Sequence, residues 1–252
     1  MNLVAVFIVS RFYQITFCKL LMSHPVFIVM VKAPRAATVK TRLVPPLSHE
    51  EAATLAACLA QDTITSVRRI VPDVIVAYAP ADGRAALEAS LTNDNLLWLE
   101  QRGADLGARL EAATAHAASL GYAPIIIVGT DSPTLPLSSI ERAIHSLSDG
   151  ECDIALGPTE DGGYYLVGLR RHVNNLFQNI AWSTPLAYEQ TADNAARLNL
   201  RTLELPRWYD VDTFSDLLRL RDEIRTSGEA RAQAPNTYQW LQAHDSRLST
   251  LT

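Results

Sequence analysis

Cysteine is scarce in this sequence, and the few cysteines are scattered. Cys18, Cys58 and Cys152 are the only three among 252 residues, and no two of them form a C-x-x-C pair. This spacing indicates neither a disulfide framework nor a cysteine zinc site, and it favours a reducing, cytoplasmic location. The six histidines are scattered too and form no H-E-x-x-H motif, which gives little support to a histidine-bound transition metal.

The sequence also lacks an excess of positive charge and a long uncharged apolar run. Its formal net charge is −5, so we expect neither a nucleic-acid partner nor attraction to an anionic membrane surface. Residues 1–23 are apolar, but Arg11 and Lys19 interrupt them before the ~20 residues that a membrane span needs. We expect these residues to be an extension outside the fold. A translation start assigned too far upstream would explain them, because Met22 precedes the first convincing strand.

Short apolar runs alternate with helical segments along the rest of the chain. The runs predict strands at 26–31, 73–78, 96–99, 125–129, 152–156 and 164–169. Apolar residues at helical spacing predict helices at 49–69, 81–90, 105–119, 137–147, 185–198 and 213–226. This alternation indicates an α/β fold with a mainly parallel sheet flanked by helices. We expect one domain over residues 24–226 and a C-terminal tail at 227–252, with a weak helical signal around 236–244.

The loop after the first predicted strand carries an unusual number of cations. Its sequence is KAPRAATVKTRL, residues 32–43, which contains Lys32, Lys40 and Arg42. Pro34 and Val39 stand where a P-loop requires glycine, so lysine and arginine side chains would have to supply the positive field for a phosphate. Ligands of open parallel sheets bind beyond the carboxyl ends of the strands, where this loop lies. The alternative is a solvated loop with basic residues.

Two further segments place carboxylates at strand ends or before a helix. In IIIVGTDSPTLP, residues 125–136, Asp131 follows the strand closely and suits a hard divalent cation such as Mg²⁺. An Asx turn or a helix N-cap would equally explain Asp131. In RWYDVDTFSDLL, residues 207–218, Asp210 and Asp212 point the same way if the segment is extended, which favours a shared ion or polar site. The alternative is that Asp212 or Thr213 simply caps the following helix.

Glycine accompanies polar residues in two other loops. GPTEDGGYYLVGL, residues 157–169, places Glu160 and Asp161 before two glycines that allow a ligand to approach the backbone. A hairpin with a tight Asp-Gly turn would explain part of this pattern without any ligand. EQRGADLGARL, residues 100–110, places Gln101, Gly103 and Asp105 after the third strand, where a nucleotide could approach. A glycine-containing turn from strand to helix is the alternative there.

Taken in order, these segments resemble a known family. The motifs K-A-P-x-x-x-x-V-K-T-R-L, Q-R-G-x-D-L-G-x-R, G-T-D-S-P, G-P-x-E-D-G-G-Y-Y and D-V-D-T-x-x-D-L are similar to those of a bacterial family, a domain of unknown function. Its members are described as glycosyltransferases with the GT-A fold, many of them from fold similarity alone. The family is related to the nucleotidyltransferases of molybdenum-cofactor and 2-phospholactate guanylyl type. The resemblance covers residues 25 to about 220.

The resemblance implies a Rossmann-like GT-A fold and a metal-dependent transferase that uses Mg²⁺ or Mn²⁺. Its substrates would be a nucleotide sugar and a small-molecule acceptor. The alternatives are a nucleotidyltransferase that joins a nucleoside triphosphate to a small phosphorylated or carboxylated acceptor and releases pyrophosphate, and a non-catalytic nucleotide-binding protein. Carried over to this sequence, the nucleotide-binding residues are Lys32, Lys40, Arg42, Gln101, Gly103 and Asp105, the metal ligands are Asp131 and Asp212, and the residues facing the acceptor are Asp161 and Glu160.

The first loop departs from the family pattern at one position that matters. It has Ala37 where the family usually carries glycine. Alanine adopts a positive φ at a greater cost than glycine. We therefore expect the loop to close differently or to bind a nucleotide more weakly.

Overall fold

The structure is a computed structural model that describes residues 24–92 and 95–249. The predicted N-terminal extension, residues 1–23, lies outside the described residues, as do the last three residues of the predicted tail. None of the helices in the described part of the chain combines the length and the apolarity that crossing a bilayer requires.

One seven-stranded mixed sheet runs through the molecule. Its strands are β1 His24–Lys32, β2 Val74–Ala79, β3 Leu97–Glu100, β4 Tyr122–Val128, β5 Ile154–Pro158, β6 Tyr164–Leu169 and β7 Thr202–Glu204. They lie in the order β3-β2-β1-β4-β6-β5-β7, and only β6 runs antiparallel to its neighbours. The first four strands are therefore parallel, and their carboxyl ends meet at one edge of the sheet. The six strands predicted from apolar runs are present, and β7 was not predicted.

Eight α-helices flank the sheet or pack beside it. They are α1 His49–Arg68, α2 Arg84–Ser90, α3 Leu106–Ser119, α4 Leu137–Ser148, α5 Ala187–Arg197, α6 Phe214–Thr226, α7 Gly228–Gln233 and α8 Pro235–Ser249, counted within the described residues. A capping box begins α1: the Ser48 side chain accepts a hydrogen bond from Glu51 N, and the Glu51 carboxylate accepts one from Ser48 N. The first six helices agree with the helical spacing of the sequence.

The strand sequences alternate between the two faces of the sheet, as the two-residue period of a strand requires. In β1, Phe27, Val29 and Val31 pack into one core cluster with α1 and α4. Val26 and Ile28 point to the opposite face and pack with residues of α3 and α5. Because both faces are covered by helices, the central strands are apolar throughout and the sheet is a rigid platform for the loops at its edge.

Residues 228–249, which the sequence analysis set apart as a tail, form α7 and α8 and pack against α1 and α6 in a third apolar cluster. A fully buried carboxylate, Asp62 of α1, accepts hydrogen bonds from Asn236 N and Thr237 N at the start of α8. Burial raises the pKa of Asp62, and these hydrogen bonds oppose the rise. The C-terminal helices thus support α1, which in turn packs behind the cationic loop.

Candidate active site

A cleft of about 540 Å³ opens at the carboxyl ends of β1, β3 and β4. Cations and carboxylates from separate parts of the chain meet there. The polar residues that line it include Lys32, Lys40, Arg42, Gln101, Arg109, Asp131, Ser183 and Asp212. Of the residues predicted to hold nucleotide or metal, the structure brings these six together: Lys32, Lys40, Arg42, Gln101, Asp131 and Asp212.

Lys40 lies at the centre of this arrangement. Its ammonium donates hydrogen bonds to Asp131 Oδ1, to Val211 O at 2.7 Å and to Asp212 Oδ1 at 3.2 Å. Only 8% of the side chain is exposed. Burial opposes the positive charge, but the charges of Asp131 and Asp212 outweigh it and raise the pKa of Lys40. The lysine is therefore a charged group held between two carboxylates.

Backbone contacts bring these two carboxylates together. Val211 N donates to Asp131 O at 2.8 Å, which ties the turn after β4 to the segment before α6. The helix after Asp131 begins only at Leu137, so Asp131 is not its N-cap. The N-cap of α6 is Thr213, not Asp212. The capping alternative thus fails for Asp131 and holds for the second segment through Thr213, and both Asp131 and Asp212 line the cleft.

Asp210 belongs to the same neighbourhood, although the sequence analysis did not assign it a role of its own. Its Oδ1 accepts a hydrogen bond from the Ser132 hydroxyl at 2.6 Å. Burial raises the pKa of Asp210 to about 7, and the charges of Asp131, Asp161 and Asp212 add to the rise. In the sequence, the pair of aspartates around Val211 predicted a shared ion or polar site, and the two carboxylates do lie in one acidic neighbourhood. Asp210 binds the turn that carries Asp131, whereas Asp212 faces the cleft.

The two residues predicted to face the acceptor lie in the turn of a β-hairpin that joins β5 to β6. Asp161 Oδ1 accepts hydrogen bonds from Thr159 Oγ1 at 2.5 Å and from Gly163 N at 3.0 Å. Glu160 forms a two-pronged ion pair with Arg219, at 2.7 and 3.0 Å. Neither residue lines the cleft. The hairpin alternative therefore describes the backbone of this segment, with Gly162 in the left-handed region at φ 89°.

Of the three residues predicted in the segment after β3, one lines the cleft and two have local structural roles. Gln101 lines the cleft, but its amide nitrogen donates to Ala77 O at 2.7 Å and so holds the end of β2. Asp105 is the N-cap of α3, where it accepts a hydrogen bond from Ala108 N at 2.8 Å, and it does not line the cleft. Gly103 has φ 148°, and a Cβ there would lie 2.7 Å from Arg109 N. Gly103 thus permits the tight turn from strand to helix that was the alternative interpretation.

The cationic loop reaches the cleft through a left-handed turn. Ala37 has φ 63° and Lys40 has φ 47°. Alanine therefore adopts the left-handed conformation at the position where the family usually carries glycine. Arg35 points elsewhere and pairs with Asp82 at 3.0 Å. The loop thus contributes Lys32, Lys40 and Arg42 to the cleft.

Two more cleft residues lie outside the set predicted from the sequence. Arg109 lies in the Q-R-G-x-D-L-G-x-R motif, so its signal was present but was not used. Ser183 lies in the turn before α5, at φ 62°, and no motif marked it.

The donor set fits a hard divalent cation. Asp131 and Asp212 both contact one cation, the Lys40 ammonium, so their oxygens converge on a single point. The two side chains are 44% and 40% exposed, which leaves room for ligands from a substrate. Within residues 24–92 and 95–249, no group of three or more His, Cys, Asp and Glu side chains is arranged to hold a metal. Two carboxylates completed by phosphate oxygens are what Mg²⁺ commonly uses.

Comparison with known proteins identifies what the chain is similar to. The model of a bacterial family described as "Uncharacterized protein conserved in bacteria (DUF2064)" matches residues 63–184. The crystal structure of a "putative nucleotide-diphospho-sugar transferase" from Desulfovibrio desulfuricans G20 is 32% identical, with a TM-score of 0.82, and the match covers 91% of this chain and 98% of that one. No curated protein matches the sequence.

Two more distant solved structures share the fold. CMP:2-keto-3-deoxy-manno-octonic acid synthetase, solved with CTP, is 12% identical with a TM-score of 0.53, over 81% of this chain and 99% of that one. The 4-diphosphocytidyl-2C-methyl-D-erythritol synthase of Anaerococcus prevotii DSM 20548 is 8% identical with a TM-score of 0.55, also over 81% and 99%. The α/β sheet is therefore the nucleotide-diphospho-sugar transferase fold that the motifs predicted.

Proposed function

Since the chain belongs to the bacterial family described as "Uncharacterized protein conserved in bacteria (DUF2064)", we propose that this transferase moves a glycosyl group from a nucleotide sugar to a small-molecule acceptor. The observation that carries the proposal is the composition of the cleft. Lysine and arginine side chains from the loop after β1 meet carboxylates from two distant turns in a space of about 540 Å³. A cavity of this size accommodates a nucleotide-sized ligand.

The cations suit the leaving group of this reaction. Glycosyl transfer breaks a bond to a phosphate oxygen, so negative charge grows on the nucleoside diphosphate as the bond breaks. Lys32 and Arg42 line the cleft together with Arg109 on α3, and they are the proposed partners of its phosphates. Fixed positive groups that meet this growing charge stabilise the transition state more than the bound substrate, which is the requirement for catalysis.

Asp131 and Asp212 are the proposed ligands of Mg²⁺ or Mn²⁺. Such an ion, when bound, would neutralise charge on the phosphates as a Lewis acid. The protein's own contribution is to hold the two carboxylates in register through the backbone hydrogen bond from Val211 N to Asp131 O. That bond fixes the distance between the two backbone segments from which the aspartate side chains extend.

Asp161 does not line the cleft, but its charge acts on Asp210, and it is the proposed residue that orients or deprotonates the acceptor hydroxyl. Its Oδ1 is held by Thr159 and Gly163, which orients the carboxylate. No hydrogen bond to its Oδ2 is found among the described residues, so this oxygen is left for an acceptor. Glu160 is less suited to proton transfer because both of its oxygens are paired with Arg219, and this ion pair lowers the pKa of Glu160.

The test is a substrate screen with a matched pair of variants. Purified protein is incubated with UDP-, GDP-, ADP- and dTDP-sugars, Mn²⁺ and a panel of small hydroxyl-bearing acceptors, and release of the nucleoside diphosphate is measured. We expect release with at least one donor and its loss, by 100-fold or more, in Asp131→Ala. Asp193→Ala removes an exposed carboxylate on α5 that does not line the cleft, and should keep the wild-type rate.

The same screen separates the competing functions. Pyrophosphate release from a nucleoside triphosphate, with no diphosphate release from any sugar donor, would replace the proposal by nucleotidyl transfer. Nucleotide binding without product under any metal condition would replace it by a non-catalytic role. Full activity of Asp131→Ala would refute the metal assignment.

A further inference from the structure

We propose that Lys40 is a built-in counter-ion that competes with the divalent cation: its ammonium occupies the place between Asp131 and Asp212, and the metal binds only by displacing it. This inference rests on the proposed metal site but concerns the protein before any nucleotide binds. In this inference, Lys40 neutralises the two carboxylates before it contacts any phosphate.

The contacts of Lys40 leave its ammonium with no donor to spare. An ammonium has three N–H donors. In this structure three acceptors receive them, which are Asp131 Oδ1, Val211 O and Asp212 Oδ1. All three N–H donors of the ammonium are thus bonded to protein acceptors, and none is left for a phosphate.

The enclosure of Lys40 differs from that of the other cations in the cleft. The Lys40 side chain is 8% exposed, whereas the Arg42 side chain is 67% exposed. The Nη1 atom of Arg42 lies 3.6 Å from Asp212 Oδ2. Lys32 lines the cleft as an exposed residue and makes no ion pair with either aspartate. Lys40 alone among these three lysine and arginine side chains therefore fills the position where the two carboxylates converge.

A divalent cation and the ammonium cannot share these oxygens. Mg²⁺ binds carboxylate oxygens at 2.0–2.1 Å in an ordered octahedron, and a positive group placed within hydrogen-bond distance of the same oxygens would repel it strongly. Metal binding must therefore release Lys40 from Asp131 and Asp212. The backbone of Lys40 is left-handed, with φ 47° and ψ 36°, an unusual conformation for lysine.

Release changes what Lys40 can bind. The freed ammonium remains in a cleft that holds Lys32 and Arg42, where a phosphate is its natural partner. The metal would thus create a phosphate contact, and the phosphate would hold Lys40 away from the metal's ligands. Since linkage is reciprocal, the metal and a polyphosphate each strengthen the binding of the other.

The first experiment measures Mn²⁺ affinity by calorimetric titration of the full chain without any nucleotide. Lys40→Met keeps an unbranched side chain that is one atom shorter and removes the charge, and we expect it to bind Mn²⁺ at least tenfold more tightly than the wild type. Lys32→Met makes the same change in the same cleft without touching the carboxylates, and we expect a change of less than threefold. Equal affinities of wild type and Lys40→Met, an equal gain in Lys32→Met, or no Mn²⁺ binding by any of the three would overturn the proposal.

The second experiment uses wild-type protein and so does not depend on the folding of a variant. The chain has three lysines, Lys19, Lys32 and Lys40. An amine-reactive acetylating reagent, followed by mass spectrometry, should label exposed Lys32 rapidly and Lys40 slowly. Addition of Mn²⁺ should raise the labelling rate of Lys40 at least fivefold and leave Lys32 unchanged. An unchanged or lower rate at Lys40 in the presence of bound Mn²⁺ would refute the displacement.

Failure of this inference can be told apart from failure of the proposed function. Both experiments read metal binding in the absence of nucleotide, and neither requires turnover. Displacement of Lys40 in a protein that transfers no sugar would keep the inference and remove the function. Metal-dependent transfer of a sugar with no displacement of Lys40 would keep the proposed function and remove the inference.

Discussion

The hydroxyl of Ser132 lies 2.6 Å from Asp210 Oδ1 and joins two loops that are far apart in the sequence. One loop carries Asp131 and the other carries Asp212, so this bond holds the two proposed metal ligands in register. The same hydroxyl lies 3.0 Å from Tyr209 O, which adds a second contact between the loops. The relation between these loops, more than either motif alone, creates the acidic side of the cleft.

Removal of the Ser132 hydroxyl should therefore weaken the protein measurably. In Ser132→Ala, the Asp210 carboxyl loses its side-chain partner in a setting where burial already disfavours its charge, and we expect the free energy of unfolding to fall by about 1–2 kcal/mol. Urea denaturation at pH 7 is the measurement. Ser138→Ala on the exposed face of α4 is the matched control, with an expected change within about 0.5 kcal/mol. Equal stability of the two variants would show that the contact does not hold the loops.

The two neighbouring acids of the hairpin turn should behave differently. We expect Asp161→Asn to lower the rate of transfer by about 100-fold or more, the usual effect of removing a general base. Glu160→Gln should lower it by less than about tenfold, because Glu160 is engaged by Arg219 and an exposed ion pair contributes only about 0–1 kcal/mol. Initial rates with a saturating donor and acceptor separate the two. The larger loss in Glu160→Gln would reverse the assignment.

The loop after β1 should gain stability from the residue that the family usually carries. Ala37 has φ 63°, a region that costs an L-residue roughly 1–2 kcal/mol and glycine almost nothing. After the entropy that glycine loses on folding, we expect Ala37→Gly to raise the free energy of unfolding by roughly 0.5–1 kcal/mol. The control is Ala36→Gly at the adjacent position, where φ is not positive and we expect a loss of about 0.5–1 kcal/mol. Thermal or urea unfolding of both variants gives the comparison, and a loss in both would contradict the prediction.

Asp153 should add a pH dependence to the stability of the sheet edge. Its carboxylate accepts hydrogen bonds from Arg201 Nε at 2.9 Å and Arg201 Nη2 at 3.0 Å, and these bonds lower the pKa of Asp153 to about 2. A lowered pKa means that the unfolded chain binds the proton more readily, so the stabilisation is present above about pH 4 and is lost as the pH falls towards 2. We expect Asp153→Asn to cost roughly 1 kcal/mol at pH 7, a modest value because the Arg201 side chain is 55% exposed.

The measurement for Asp153 is the difference in unfolding free energy between wild type and variant across pH 2–7. The difference should shrink as the pH falls through this window, whereas other carboxylates affect both proteins alike. A difference that is constant with pH would show that the ion pair does not set the pKa. Asp193→Asn serves as the exposed control and should differ little from wild type at any pH.

The elements that the sequence predicted well are those with a long apolar period. Strand β1 and helix α1 are examples, because each has enough residues on one face to show its period without help from the rest of the chain. Strand β7, Thr202–Glu204, has three residues, so it offers no measurable alternation and exists because it pairs with β5. Helix α7, Gly228–Gln233, is similarly short and begins with glycine, a poor helix former.

The sequence could predict the part of the site that lies at the carboxyl ends of the parallel strands. Lys40 and Asp131 lie in the loops after β1 and β4, and parallel strands bring their carboxyl ends to one edge of the sheet. Asp212 lies in the segment before α6, which this rule does not place. Whether a given polar side chain is free for a ligand was not predictable. Asp105 caps its own helix, and Gln101 donates to the carbonyl of a neighbouring strand. Such partners come from the backbone geometry, which no motif records.

The sequence by itself determined the fold class, the position of most helices and strands, and the charge of the loops at the sheet edge, since periodicity and local residue chemistry act over short stretches of chain. Only the tertiary structure decided that Lys40 lies between Asp131 and Asp212, which are 91 and 172 residues away in the chain. A contact of this kind depends on the packing of the whole sheet. A shift of a few ångströms in that packing would take the Lys40 ammonium out of hydrogen-bond reach of both carboxylates.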